Sequence, residues 1–115
     1  MVDITKRTFD FAISMIRLFR LVTKDYSADR QILGKQLLRA GTSIGANVEE
    51  AQSGQSRADF ISKMSIALKE ARETNYWLRL LKAEAYLTGE EIEEILKESE
   101  EIKKILGAII VSSKK

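Results

Sequence analysis

The sequence predicts an all-α protein, an up-down-up-down antiparallel four-helix bundle that forms one domain over residues 1–115. Three observations lead to this prediction. The chain contains no proline, so nothing in its composition interrupts long helices. Apolar residues recur at alternating spacings of four and three, which is typical of helices that pack nearly antiparallel. Turn signals divide the chain into segments of helical length with short connections, which favours a bundle over an extended coiled coil.

The first helix is predicted from about Asp3, a candidate N-cap, to about Lys24. Its apolar residues cover roughly 220° of the circumference, whereas about 100° suffices for one buried face. Phe9, Ile13 and Ile16 lie on one side of this wide face and Phe11, Met15 and Leu18 on the other, while Leu21 lies among the polar residues. The residues that we assign to a contact are Phe9, Ile13, Ile16 and Leu21. Large exposed apolar patches usually mark interfaces. We therefore expect a homo-oligomer in which these four residues contribute to the contact between subunits.

The second helix is predicted from about Asp29 to Gln52, and it contains the stretch RAGTSIGANVEEA, residues 39–51. A phosphate-binding loop is one interpretation of the glycines Gly41 and Gly45, but it would need a preceding strand and a following lysine. A turn within the stretch is a second interpretation, although it would break the spacing of the core positions. We favour the third, a helix surface kept small for close contact with large side chains of the third helix.

A turn at SGQS, residues 53–56, separates the second helix from the third. Gly54 is expected to adopt the left-handed conformation that ends a helix. Ser56 is expected to cap the next helix, with Asp59 near the positive end of its dipole. The third helix is predicted from Arg57 to about Leu87.

The segment Thr88-Gly89-Glu90-Glu91 fits a T-x-x-E capping box. The fourth helix is therefore predicted to begin there, with Thr88 as its N-cap, and to reach about Val111. The glutamates at its start favour the helix dipole and solubility. They do not form a di-iron site, because such sites in bundles need histidine ligands and the chain has none.

The composition excludes several kinds of site. Cysteine and histidine are absent, which excludes disulfides, Cys/His zinc sites, thiolate nucleophiles and a histidine general base. The sequence contains no apolar run of membrane-spanning length, and its N-terminus lacks the features of a secretory signal. We expect a cytoplasmic, non-enzymatic protein without a metal, a cofactor or a membrane-inserted segment.

Four residues of the third helix fall on one stripe at i, i+3, i+7 and i+10: Lys69, Arg72, Tyr76 and Arg79. Cations interleaved with an aromatic residue can hold phosphates and stack on a base. A solvated helix face with ordinary ion pairs is the alternative interpretation. Four further cations could widen the basic patch, namely Lys35, Arg39, Arg57 and Lys63. The formal net charge of +2 adds only weak support for a polyanionic partner.

Residues 39–81, RAGTSIGANVEEAQSGQSRADFISKMSIALKEARETNYWLRLL, resemble the central signature of a known family. It is the family of four-helix-bundle proteins encoded in intervening sequences of bacterial 23S ribosomal RNA genes. The segment is similar as well to the related accessory protein of diversity-generating retroelements. The residues that match the signature in type are Ser43, Asn47, Glu50, Arg57, Phe60, Glu73 and Trp77, and we assign them to packing and polar networks within or between subunits.

The resemblance implies helical bundles that assemble into a ring-like homopentamer. For the retroelement branch it implies a basic surface that binds nucleic acid and a partner reverse transcriptase. No catalytic residues carry over from either branch. We therefore expect an oligomeric binding protein that holds RNA or DNA through its phosphates without sequence readout. The alternative is a protein–protein adaptor, such as a reverse transcriptase partner, with no nucleic-acid contact of its own.

Overall fold

Residues 3–115, which a computed structural model describes, fold into four α-helices joined by short connections. The helices are α1 (Ile4–Thr23), α2 (Ala28–Gln52), α3 (Arg57–Ala83) and α4 (Glu90–Ser113). Each helix packs against the next one along the chain, and α4 also contacts α1. This arrangement places α1 diagonally opposite α3, and α2 diagonally opposite α4. The predicted up-down-up-down antiparallel four-helix bundle is confirmed.

In α2, α3 and α4 the core consists largely of positions that the alternating spacing of four and three predicts, although Ala85 is exposed and Ile110 is buried where the spacing points to Ile109. All four helices contribute large side chains that are almost fully buried. They include Met15, Leu18, Leu37, Ile44, Met64, Leu78, Leu81, Ile92, Ile102 and Leu106. Burying an aliphatic side chain of this size stabilises the fold by about 1.5–3 kcal/mol. The helices are therefore held together mainly by the faces that the sequence pattern identifies.

The glycines of α2 lie against α1 at very short distance. A Cβ atom on Gly41 would come within 2.8 Å of Sδ of Met15, and a Cβ atom on Gly45 would lie 3.2 Å from the carbonyl oxygen of Thr8. A Cβ atom on Gly34 would lie 2.6 Å from the Thr23 side chain. The absence of side chains on this face of α2 thus allows the two helices to approach closely.

The close-packing interpretation of residues 39–51 therefore describes the structure, but its expected partner is wrong. The small residues contact α1 and not the aromatic residues of α3. The alternative of a turn is excluded, because α2 continues without a break and Oγ1 of Thr42 donates to the carbonyl oxygen of Leu38 at 2.7 Å. A single sequence shows which residues are small but not which neighbouring helix they face.

The connection between α2 and α3 agrees with the prediction at one residue and not at another. Ser56 is the N-cap of α3, and its side chain accepts a hydrogen bond from the backbone N–H of Asp59 at 3.1 Å. Gly54 does not adopt a left-handed conformation, because Gly89 is the only glycine with positive φ within residues 3–115. A Cβ atom on Gly54 would instead lie 3.1 Å from the carbonyl oxygen of Ala51. The absence of a side chain at Gly54 therefore leaves room for a tight turn.

The end of α3 differs from the prediction, since the helix stops at Ala83, four residues earlier than expected. Ala85 takes the left-handed conformation with φ of 59°. Its N–H donates to the carbonyl oxygen of Lys82 at 3.0 Å, and the N–H of Tyr86 donates to that of Leu81 at 2.9 Å. These two bonds form a Schellman motif, whose left-handed position usually carries glycine. Alanine at that position gave no sequence signal for the end of the helix.

The predicted capping box at the start of α4 is wrong. The N-cap is Gly89, with φ of 86° and ψ of −166°, and no side chain caps the helix there. Glycine adopts this conformation without the steric cost that a Cβ atom would impose. Thr88 therefore precedes the cap, and α4 extends to Ser113, two residues beyond the predicted end.

Candidate nucleic-acid interface

The basic stripe, Lys69, Arg72, Tyr76 and Arg79, runs along the outward face of α3. All four residues are exposed, and Tyr76 keeps 47% of its surface accessible. The stripe covers ten helical steps, or about 15 Å along the helix axis. Because α3 lies diagonally opposite α1, the stripe and the outer face of α1 point to opposite sides of the bundle.

The cations of the stripe are not neutralised by neighbouring carboxylates. Within residues 3–115, Lys69, Arg72 and Arg79 form no ion pair. The alternative interpretation, a solvated helix face, agrees with the exposure of these three side chains, although the ordinary ion pairs that it included are not present within residues 3–115. Their charge stays available for a ligand.

Arg79 is held in place by a polar chain that starts in the core. Asn75 is only 4% exposed. Its Nδ2 donates to Oγ of Ser99 in α4 at 3.2 Å, and its Oδ1 accepts a hydrogen bond from Nε of Arg79 at 3.0 Å. The spacing of apolar residues in the fourth helix places Ser99 on its core-facing side, whereas it gives no role to Asn75. The signal that could have revealed them is a pair of polar residues on the core-facing side of neighbouring helices.

Two aromatic rings lie beside this arginine. The guanidinium carbon of Arg79 lies over the ring of Tyr76, 5.8 Å from its centroid. The rings of Tyr76 and Trp77 meet edge-on, with centroids 5.1 Å apart and an interplanar angle of 67°. Contacts of this kind orient the Tyr76 ring, while about half of its surface remains open to a ligand.

Arg39 does not join the stripe, because it pairs with two carboxylates of α3. It contacts Glu73, and its Nη1 lies 3.5 Å from Oε2 of Glu70, a buried atom that has no hydrogen-bond partner within residues 3–115. Glu73 also accepts a hydrogen bond from Nε1 of Trp77 at 3.1 Å. The positive charge of Arg39 is thus used to link α2 to α3.

Of the other three cations that could have widened the patch, two have their own partners. Nζ of Lys63 is 3.8 Å from Oε1 of Glu50. Arg57 lies at the first position of α3 and donates to the carbonyl oxygen of Lys115 at 3.3 Å. Lys35 is exposed on α2. The candidate interface therefore consists of the four residues of the basic stripe, with the exposed Lys35 as the one further cation that has no ion-pair partner within residues 3–115.

The apolar residues predicted for a subunit contact are exposed to different degrees on α1. Phe9, Leu21 and Ile16 are 56%, 46% and 39% exposed, and Ile13 is half-buried. Phe9, Ile13 and Ile16 follow one another at i, i+4 and i+7 and form one strip, which we call the α1 strip. Leu21 lies about a third of a turn away from this strip. The structure therefore groups three of the four predicted residues.

Within residues 3–115, no group of acidic side chains is arranged to hold a metal ion. No helix in that range has the length and apolar character needed to cross a membrane. The basic stripe on α3 and the α1 strip are two of the surfaces that the helices present outward, and Ile32 of α2 and Val111 of α4 are also exposed.

These features place the chain among small antiparallel four-helix-bundle proteins. It belongs to the family of 23S rRNA-intervening sequence proteins, whose model matches residues 1–108. It is similar to a protein of unknown function from the S23 ribosomal protein family of Bacteroides thetaiotaomicron VPI-5482, known from a crystal structure. The two chains are 45% identical with a TM-score of 0.87, over 94% of this chain and 98% of the other. No curated protein shows significant similarity.

Proposed function

We propose that the protein is a non-enzymatic, oligomeric binding protein that holds RNA or DNA through the basic stripe of α3 without sequence specificity. The observation that carries this proposal is the set of three cations without carboxylate partners around a half-exposed tyrosine. Lysine and arginine bind phosphates of any sequence, since phosphates carry no base information.

Assembly of several copies would strengthen such binding. A single chain carries a formal net charge of only +2 and one stripe about 15 Å long. Several stripes on one assembly would bind one strand with a higher effective affinity than any of them alone. The homopentamer implied by the sequence resemblance would carry about +10 in total.

A salt titration tests the proposal directly. Fluorescence anisotropy would follow the binding of a labelled RNA and a labelled DNA from low to physiological salt. Binding through phosphates predicts a steep fall in affinity as salt rises, because each contact releases a counterion. An affinity that stays flat over this range would overturn the proposal.

Matched variants locate the binding surface. Lys69→Gln combined with Arg72→Gln should weaken binding and reduce the salt slope by about one for each cation removed. The control combines Lys97→Gln and Lys104→Gln, two exposed cations of α4 that form no ion pair in the described part of the chain. This control should bind almost as well as the wild type. Equal losses in both double variants would contradict a site on α3.

The second candidate function is a protein–protein adaptor, such as a reverse transcriptase partner. It is favoured by the α1 strip, because exposed apolar residues on one helix face are typical of protein contacts. The likeness to the retroelement accessory protein remains a prediction from the sequence. A pull-down from cells that recovers a protein but no nucleic acid would favour the adaptor over the nucleic-acid-binding protein.

A further inference from the structure

We propose that Tyr76 and Arg79 form a preorganised platform on which an unpaired base stacks, so that the ligand is single-stranded RNA or DNA and not a duplex. This inference rests on the proposed function, because it specifies which form of nucleic acid the basic stripe binds. Three properties of the stripe lead to it: a fixed guanidinium, an accessible ring, and acidic residues beside a narrow positive surface.

The guanidinium is fixed from the core outward. A buried asparagine is costly to the fold unless its amide is satisfied, and the amide of Asn75 is satisfied by Ser99 on one side and by Arg79 on the other. Oδ1 of Asn75 is a neutral acceptor, so it orients Arg79 without cancelling its charge. The planar group of Arg79 is thereby held beside Tyr76 before any ligand arrives, which lowers the entropic cost of binding.

The ring and the guanidinium together offer flat surfaces for a base. Tyr76 is half exposed, and its orientation is restricted by Arg79 and by the edge-on contact with Trp77. Unpaired bases stack on tyrosine rings and on arginine planes. A base in a duplex presents only its edges in the grooves, so a ring on a helix surface cannot reach its face.

The charge around the stripe also disfavours a second strand. Glu100 of α4 lines the groove between α3 and α4 together with Arg79. On the other side of α3, Glu70 and Glu73 face the single cation Arg39, so this border keeps one formal negative charge. A duplex would bring a second row of phosphates towards one of these acidic borders. The phosphates of a single strand need only the cations of the stripe. Lys69 and Arg72 lie one to two helical turns from Tyr76, where they can bind the phosphates on one side of the stacked base.

Trp77 gives this inference a built-in reporter, because it is the only tryptophan of the chain and its ring contacts that of Tyr76. The experiment titrates the wild type with a twelve-nucleotide single strand and with the duplex of the same sequence, following anisotropy and Trp77 fluorescence. We expect about tenfold tighter binding of the single strand. We also expect a change in Trp77 emission that the duplex does not produce.

Variants separate stacking from charge. Tyr76→Leu, which keeps an apolar side chain but removes the ring, should weaken single-strand binding about tenfold and leave duplex binding unchanged. Tyr76→Phe should bind the single strand as tightly as the wild type. Arg79→Lys keeps the positive charge but removes the planar guanidinium, and its affinity for the single strand should lie between those of the wild type and Tyr76→Leu. Tyr26→Leu is the matched control, since Tyr26 is 93% exposed in the α1–α2 connection, and it should have no effect. Circular dichroism melts verify that each variant is folded.

The outcomes distinguish this inference from the proposed function. Equal affinities for the single strand and the duplex, or a Tyr76→Leu variant that binds like Tyr26→Leu, would overturn the stacking platform. If the Lys69→Gln and Arg72→Gln variant still lost affinity, nucleic-acid binding through α3 would stand without it. If that variant also bound like the wild type, both proposals would be refuted.

Discussion

Gly41 of α2 lies directly against the side chain of Met15 of α1. Met15 is fully buried in the bundle core, so it cannot swing into solvent to make room. Any side chain on Gly41 would have to displace either Met15 or α1 itself. The close approach of the first two helices therefore depends on the absence of a Cβ atom at Gly41, as it does at Gly34 and Gly45.

Gly41→Ala should destabilise the protein, even though alanine is favoured over glycine within a helix by about 1 kcal/mol. Overpacking a filled core typically costs about 1–3 kcal/mol, which exceeds that gain. Urea unfolding followed by circular dichroism would measure the difference. The matched control is Gly107→Ala in the interior of α4, where a Cβ atom would meet nothing within 4 Å. This control should be more stable than the wild type, and a Gly41→Ala variant that behaves like it would contradict the finding.

Ala85→Gly should stabilise the protein. Ala85 holds the left-handed position of the Schellman motif that ends α3, and this conformation costs a residue with a Cβ atom about 1–2 kcal/mol. The expected gain is about 1 kcal/mol, because glycine also increases the entropy of the unfolded chain. Thermal melts would detect it as a higher Tm. Ala83→Gly at the last residue of α3 is the control and should lower the Tm, whereas a loss of stability in both variants would disprove the expectation.

These two sites show how far the sequence could predict the fold. The spacing of Leu37, Ile44 and Leu78 reveals buried positions, because helical periodicity depends only on neighbours along the chain. The end of α3 was not predictable, since Ala85 is not the glycine that usually marks such an end. The basic stripe could be predicted because it lies on one helix. The pairing of Arg39 could not, because it depends on the alignment of α2 with α3.

Tyr86→Phe should lower the stability of the protein by an amount that depends on pH. The hydroxyl of Tyr86 donates to the carboxylate of Asp29, which ties the α3–α4 connection to the start of α2. This hydrogen bond lowers the pKa of Asp29 from its ordinary value of 3.8 and raises the pKa of Tyr86 from 10.0. The ionised carboxylate of Asp29 therefore adds to the free energy of unfolding above pH 3.8. This stabilisation is lost as the pH falls through the lowered pKa of Asp29. The protonated hydroxyl of Tyr86 adds to the free energy of unfolding below pH 10.0. This stabilisation is lost as the pH rises through the raised pKa of Tyr86.

The measurement is the difference in Tm between the wild type and Tyr86→Phe across the pH range. Comparing the two proteins at each pH cancels the titration of all other groups that they share. The difference should be constant near neutral pH and should shrink at both extremes. Tyr26→Phe serves as the control, because Tyr26 is exposed and forms no side-chain hydrogen bond in the part of the chain that the structure describes. A Tyr86→Phe difference that is the same at pH 3 and pH 7 would argue against the pairing.

Phe9→Glu and Ile16→Glu should dissociate the proposed oligomer while leaving the single chain folded. Both side chains are exposed on the α1 strip, so a charge there costs the isolated bundle little, whereas a charge buried between subunits is costly.

Light scattering on the wild type should give a mass of several chains, about five times 13.0 kDa for the pentamer implied by the resemblance. Both variants should shift this mass towards that of one chain. Ile32→Glu on α2, where Ile32 is 61% exposed, is the control that should keep the wild-type mass. A monomeric wild type at micromolar concentration would refute the oligomer. Assembly that survives both variants would instead place the contact away from the α1 strip.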